Sequence, residues 1–161
     1  MSLANQLSLV RPGKAWRVLY DGNGAETLEW NDEEAPPTDS ELLAASKIIH
    51  GNKITAARNA ALRELKATWD GDTWDANEET SNRVASALSM VREAGSLGIP
   101  TPPAIPWRTY DNKDRILTIA ELTQMGASVF LAQQMVWGKQ AQLKNAIEAA
   151  TTKEELEQIE W

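Results

Sequence analysis

No cysteine occurs in the 161 residues, which excludes disulfide scaffolds, thiol nucleophiles and cysteine-ligated zinc or iron–sulfur sites together. The single histidine, His50, leaves no His-rich metal cluster and removes most imidazole-based catalysis. Positive charge is sparse and scattered. Sixteen Lys+Arg stand against twenty-three Asp+Glu, a net charge of −7, and no run of basic residues forms the cationic face that displaces counterions from phosphates. Nucleic acid is therefore not an expected partner. No apolar run is long enough to span a bilayer, so membrane insertion is not expected either. The opening MSLANQLSLV lacks a basic n-region, and Asn5 and Gln6 interrupt its apolar stretch, so it does not read as a signal peptide. GxSxG elbows, Walker loops and GxGxxG turns are absent. These absences point away from an enzyme: the expectation is no catalytic residue, no metal and no cofactor.

Tryptophan is abundant where other aromatics are scarce, with seven Trp against one Phe and two Tyr. Most of the seven fall in or beside strand-like runs. Trp16–Tyr20 and Glu26–Trp30 flank the turn Asp21-Gly22-Asn23-Gly24, whose Gly and Asn tolerate the positive φ of tight hairpins. The first forty residues thus read as β and loop. A lone two-stranded hairpin is marginal in water, so this arm needs a partner surface, and Trp16, Val18, Tyr20, Leu28 and Trp30 are its candidate partner-binding residues. Trp69-Asp70-Gly71-Asp72-Thr73-Trp74 reads as a second hairpin, and Trp107–Tyr110 with Arg115–Thr118 as a third. Trp69, Trp74 and Trp107 are assigned to core packing.

Three helix starts carry threonine followed three residues later by glutamate: Thr38–Glu41, Thr118–Glu121 and Thr152–Glu155. In such a capping box the hydroxyl and the carboxylate satisfy two otherwise orphaned backbone N–H groups. The first helix is expected to stop at Gly51-Asn52, with His50 near its terminal carbonyls. A second runs from Ile54, a third from about Asn77 to Gly95, and Gly98–Pro106 forms a stiff proline-rich spacer. The longest helix, about residues 119–150, has a heptad seam that includes Leu122, Val129, Val136 and Leu143, broken by Lys139. That seam serves either packing within the domain or self-association as a homo-oligomer, and the pattern alone leaves both open.

Two chemical readings compete with plain structure. Asp70, Asp72 and Asp75 suggest a calcium loop, but Trp74 occupies a ligand position and the glycine is misplaced, so turn-forming aspartates fit better. A metal-dependent enzyme is thereby a distant alternative. The PxxP matches in Pro100–Pro106 lack an orienting basic neighbour and read as spacer.

From Ile54 to Trp161 the ordered features resemble a domain family of unassigned function found in bacteriophage tail and tail-fibre-associated proteins. The resemblance rests on Ile54-Thr55-Ala56-Ala57-Arg58-Asn59, Thr80-Ser81-Asn82-Arg83-Val84-Ala85-Ser86-Ala87, Trp107-Arg108-Thr109-Tyr110-Asp111-Asn112, Leu117-Thr118-Ile119-Ala120-Glu121-Leu122, and Ala146-Ile147-Glu148-Ala149-Ala150 closing on Trp161. The proline-rich run before Trp107 is longer than that pattern. The resemblance implies a virion role in the tail, host cytoplasm during assembly, other tail or fibre proteins as partners, and no catalytic residues. The expected architecture is α+β, mainly α: an N-terminal β-hairpin arm (1–37), a connecting helix (38–52), and a helical domain with long C-terminal helices and small β-hairpins (53–161). The expected function is a non-enzymatic tail structural protein, with a tail-fibre assembly chaperone as the alternative.

Overall fold

The computed structural model describes residues 2–161. Along the chain lie α1 (Leu3–Val10), β1 (Trp16–Tyr20), β2 (Glu26–Trp30), α2 (Asp39–Arg63), β3 (Lys66–Trp69), β4 (Asp72–Asp75), α3 (Glu78–Ser96), β5 (Ala104–Arg108), β6 (Asp114–Thr118), α4 (Ile119–Ala149) and α5 (Lys153–Glu157). The fold is α+β and mainly α. Among the described residues each strand pairs only with its sequence neighbour, giving three antiparallel two-stranded sheets.

The three threonine–glutamate boxes open α2, α4 and α5. Thr38 N–H donates to Glu41 Oε2 at 2.8 Å and Thr118 N–H to Glu121 Oε2 at 2.7 Å; the Thr152–Glu155 box is reciprocal as well. At α3 the cap is Asn77, whose side chain accepts from Thr80 N–H at 2.9 Å. The β3–β4 turn uses positive φ at both Asp70 (50°) and Gly71 (77°), the twist that suits a two-residue hairpin.

Three local readings are corrected. The first forty residues are not all β and loop, because α1 precedes the hairpin. Leu3, Gln6, Leu7 and Val10 share one helical face, Leu7 is fully buried, and the Gln6 amide donates to Ser46 Oγ. Gly51-Asn52 does not end a helix: α2 runs unbroken through it, and Gly51 does not take the positive φ of a terminating glycine. The spacer is shorter than expected, since Ala104–Pro106 belong to β5. Pro106 sits opposite Ile116 in a sheet without a central strand, where its missing N–H interrupts no second ladder.

The chain forms two compact units whose boundaries fall inside α2 and α4. These follow contacts rather than chain order, and so differ from the segments 1–37, 38–52 and 53–161. One unit holds residues up to Ala56 together with Gln140–Trp161. Its core joins Ile54, Ile147, Ala150 and Leu156, with Leu43, Leu143, Ile159 and Trp161 packed around them. The other unit is Ala57–Lys139, and its core is built from Trp74, Trp107, Leu117, Leu122, Met125 and Val129 together with Ala67, Ala76 and Val84. There the two hairpins are bonded directly: Tyr110 N–H donates to Thr73 O at 2.9 Å, and the Lys66 ammonium lies 3.4 Å from the Tyr110 ring centroid.

Candidate protein-interaction surfaces

The β1–β2 register pairs Trp16 with Trp30, Val18 with Leu28 and Tyr20 with Glu26. Directly opposite residues share a face, so Trp16, Val18, Tyr20, Leu28 and Trp30 form one aromatic and aliphatic surface. The fold brings together all five residues singled out from the sequence. None of the ten strand residues is buried: Trp16, Val18, Leu28 and Trp30 are half-buried and Tyr20 is exposed. The opposite face carries Arg17, Leu19, Thr27 and Glu29, with Arg17 and Glu29 in an exposed ion pair at 3.8 Å. Because the sheet has two strands, each also presents one edge of unladdered N–H and C=O groups.

The hairpin is tied by hydrogen bonds and ion pairs at both ends. In its turn, the Asp21 carboxylate accepts from Asn23 N–H at 2.9 Å and Ala25 N–H at 2.8 Å, and Gly24 takes φ 80°. At its base, Lys14 reaches Glu34 at 3.0 Å and Asp32 at 3.5 Å, and Trp30 Nε1–H donates to Glu34 O at 2.6 Å. The Glu34 carboxylate holds the Lys14 ammonium above its usual pKa, and the Glu34 backbone N–H holds the Asp32 carboxyl below its own. Helix α1 is tied on by Leu3 N–H, which donates to Glu26 Oε2 at 2.8 Å, while Tyr20 Oη–H donates to Glu26 Oε1 at 3.3 Å. That backbone bond, helped by the tyrosine, keeps the Glu26 carboxyl below its usual range. An open cleft of about 1090 Å³ lies beside the hairpin turn, lined by Ala25, Glu26, Asp39, Leu43, Thr152 and Lys153.

The heptad seam of α4 is spent on packing within the chain. Leu122 and Val129 are fully buried in the Trp74 core, Leu143 packs against the Ile54 cluster, and Val136 is half-buried. The seam is therefore not a free self-association surface at Leu122 and Val129. Large apolar residues are instead exposed on the other side of α4: Phe130, Leu131, Met135 and Trp137. The sequence carried a signal for this face, since no charged residue occurs between Glu121 and Lys139.

Of the remaining candidates, Asp70 and Asp72 have a structural partner. Arg115 donates to Asp70 at 2.7 Å and also to Asp72, which ties the β3–β4 turn to β6. Among the described residues no group of three or more His, Asp or Glu side chains is arranged to hold a metal ion. His50 lies inside α2 rather than at a helix end. Its Nε2 is 2.6 Å from Ile159 O, just beyond α5, so it does meet a carbonyl near a helix terminus, though not its own. Among the described residues its buried Nδ1 has no hydrogen-bond partner. Among the described residues no helix is long and apolar enough to cross a membrane.

Comparison with known proteins gives one positive finding. The family described as "Domain of unknown function (DUF4376)" matches residues 45–160. No curated protein matches significantly. No solved structure matches either.

Proposed function

The chain belongs to the DUF4376 family, a domain of unknown function, and from that premise we propose that it is a non-enzymatic structural protein of a bacteriophage tail, associated with the tail fibre or baseplate. One observation carries the protein-binding part of this reading: the hairpin sets Trp16, Val18, Tyr20, Leu28 and Trp30 on one face, with Tyr20 exposed and the other four only half-buried. Tryptophan and tyrosine held on a stiff backbone lose little entropy on docking and bury large areas, which makes them hot-spot residues. The open strand edges offer a second route, by adding a strand of the partner to the sheet. The phage-tail part rests on the resemblance of the quoted stretches from Ile54 to Trp161. The virion is then the site of action, with the host cytoplasm its location during assembly.

Purified particles of the encoding phage test this reading. The protein is expected in fixed stoichiometry with the fibre or baseplate proteins. Its absence from particles rejects the structural role; absence combined with a raised yield of soluble fibre on co-expression identifies an assembly chaperone instead.

A further inference from the structure

The second face of α4 carries an inference independent of the hairpin. Phe130, Leu131, Met135 and Trp137 are between 45% and 78% exposed, all within the unit Ala57–Lys139. They leave on the order of 500 Å² of apolar side chain in water, near the largest patch an ordinary monomer shows. A helix apolar on its buried seam and apolar again on the opposite side is one that becomes covered on both sides.

We infer that this face is the contact between two copies of the chain, paired antiparallel along α4 about a two-fold axis level with residue 133. Three features point to a second copy as the occupant. The first is symmetry. With about 3.6 residues per turn, Phe130 and Trp137 lie on one flank, Leu131 and Met135 on the other, and Ala127, Gly138 and the exposed Gln134 on the midline, where Gln134 would face its own copy beside the two-fold. All three pairs are centred on residue 133 to within half a residue. A perpendicular two-fold therefore sets Phe130 against the partner copy's tryptophan flank, leucine against methionine, and small residues against small residues, so the patch complements itself.

Charge is the second feature. Unit Ala57–Lys139 holds nine Lys+Arg and ten Asp+Glu, so it carries only −1 of the chain's −7 and does not repel its own copy strongly. The third is area: a stable contact needs about 800 Å² per partner, and the four large side chains supply more than half of that before their small and amide neighbours are counted. The Arg58 guanidinium, 4.2 Å from the Trp137 ring centroid, holds that indole at the rim.

Sedimentation equilibrium of the full chain across the micromolar range should give a two-chain mass. Leu131→Glu with Met135→Glu places like charges in the contact and should weaken association by about a hundredfold or more, while far-UV circular dichroism is unchanged because both side chains are exposed. A second readout exploits the cysteine-free sequence. The Ala127→Cys/Gly138→Cys double variant should be joined by a short thiol cross-linker. Either single variant should not, because identical positions lie about 15 to 18 Å apart in this register. A wild-type chain that stays monomeric, a dimer indifferent to the glutamates, or cross-linking of the single variants overturns the inference. Dimerisation abolished by hairpin substitutions instead also overturns it, and would leave the hairpin reading standing.

Discussion

Replacing Gly126 with alanine tests the packing that fixes α4 within its unit. A Cβ built at Gly126 meets Val84 Cγ1 at 2.7 Å, well inside the roughly 3.5 Å of an ordinary carbon contact. Val84 is buried on α3 among the core residues, and a β-branched side chain in a helix has one strongly preferred rotamer, so it cannot swing away cheaply. Overpacking of this kind costs about 1–3 kcal/mol, while replacing glycine inside a helix returns about 1 kcal/mol. The net expectation for Gly126→Ala is a loss of about 1 kcal/mol. Val84→Ala removes the obstructing methyls at its own cavity cost of about 1–3 kcal/mol. In that background Gly126→Ala should change sign and stabilise by about 0.5–1 kcal/mol. Urea unfolding of the four proteins gives the coupling energy, expected at about 1–3 kcal/mol. A coupling near zero, or stabilisation by Gly126→Ala in the presence of Val84, refutes the close approach of α3 and α4.

Other perturbations follow from the same contacts. Thr118→Ala removes one side of a capping box and should cost about 0.5–2 kcal/mol in chemical denaturation. The Glu26, Glu41, Glu121 and Glu155 carboxyls all sit below their usual pKa, chiefly through bonds from Leu3 N–H, Thr38 N–H, the Thr118 hydroxyl and Thr151 N–H respectively. Their stabilisation is complete above the unfolded value of about 4.3 and is lost as pH falls through the folded values, so the thermal midpoint should hold down to mildly acidic pH and drop below it. His50→Ala deletes the bond to Ile159 O and opens a cavity, and should destabilise by about 2–4 kcal/mol.

Local chemistry in the sequence was enough to place most elements. The Thr-x-x-Glu boxes mark the starts of α2, α4 and α5, and Asp-Gly marks the β3–β4 turn, because each interaction closes within a few residues. What escaped depends on distant partners. Helix α1 was hidden by Asn5 and Gln6, yet Gln6 is buried because Ser46, forty residues away, accepts its amide hydrogen. Gly51-Asn52 resembled a stop signal, but His50 and Ile54 are both buried on one side of α2, and packing on that side carries the helix through. The five hairpin residues of the candidate interface were legible because period-2 alternation alone puts them on one face. On α4 the heptad seam was legible as apolar spacing, but spacing does not say whether neighbours in the same chain cover it. Leu122 and Val129 are covered, and the exposed residues Leu131 and Met135 lie on the opposite side.

The account turns on the aromatic face of the hairpin, and a competition within one cell tests it most directly. Cells producing equal amounts of the wild-type chain and a Trp16→Ala/Trp30→Ala variant are infected with phage lacking the gene, and the two forms are quantified in purified particles by mass spectrometry. Two lost aromatic anchors, each worth about 2 kcal/mol at a hot spot, should leave the wild-type form enriched more than tenfold. Equal incorporation, or neither form in the particle, contradicts the account.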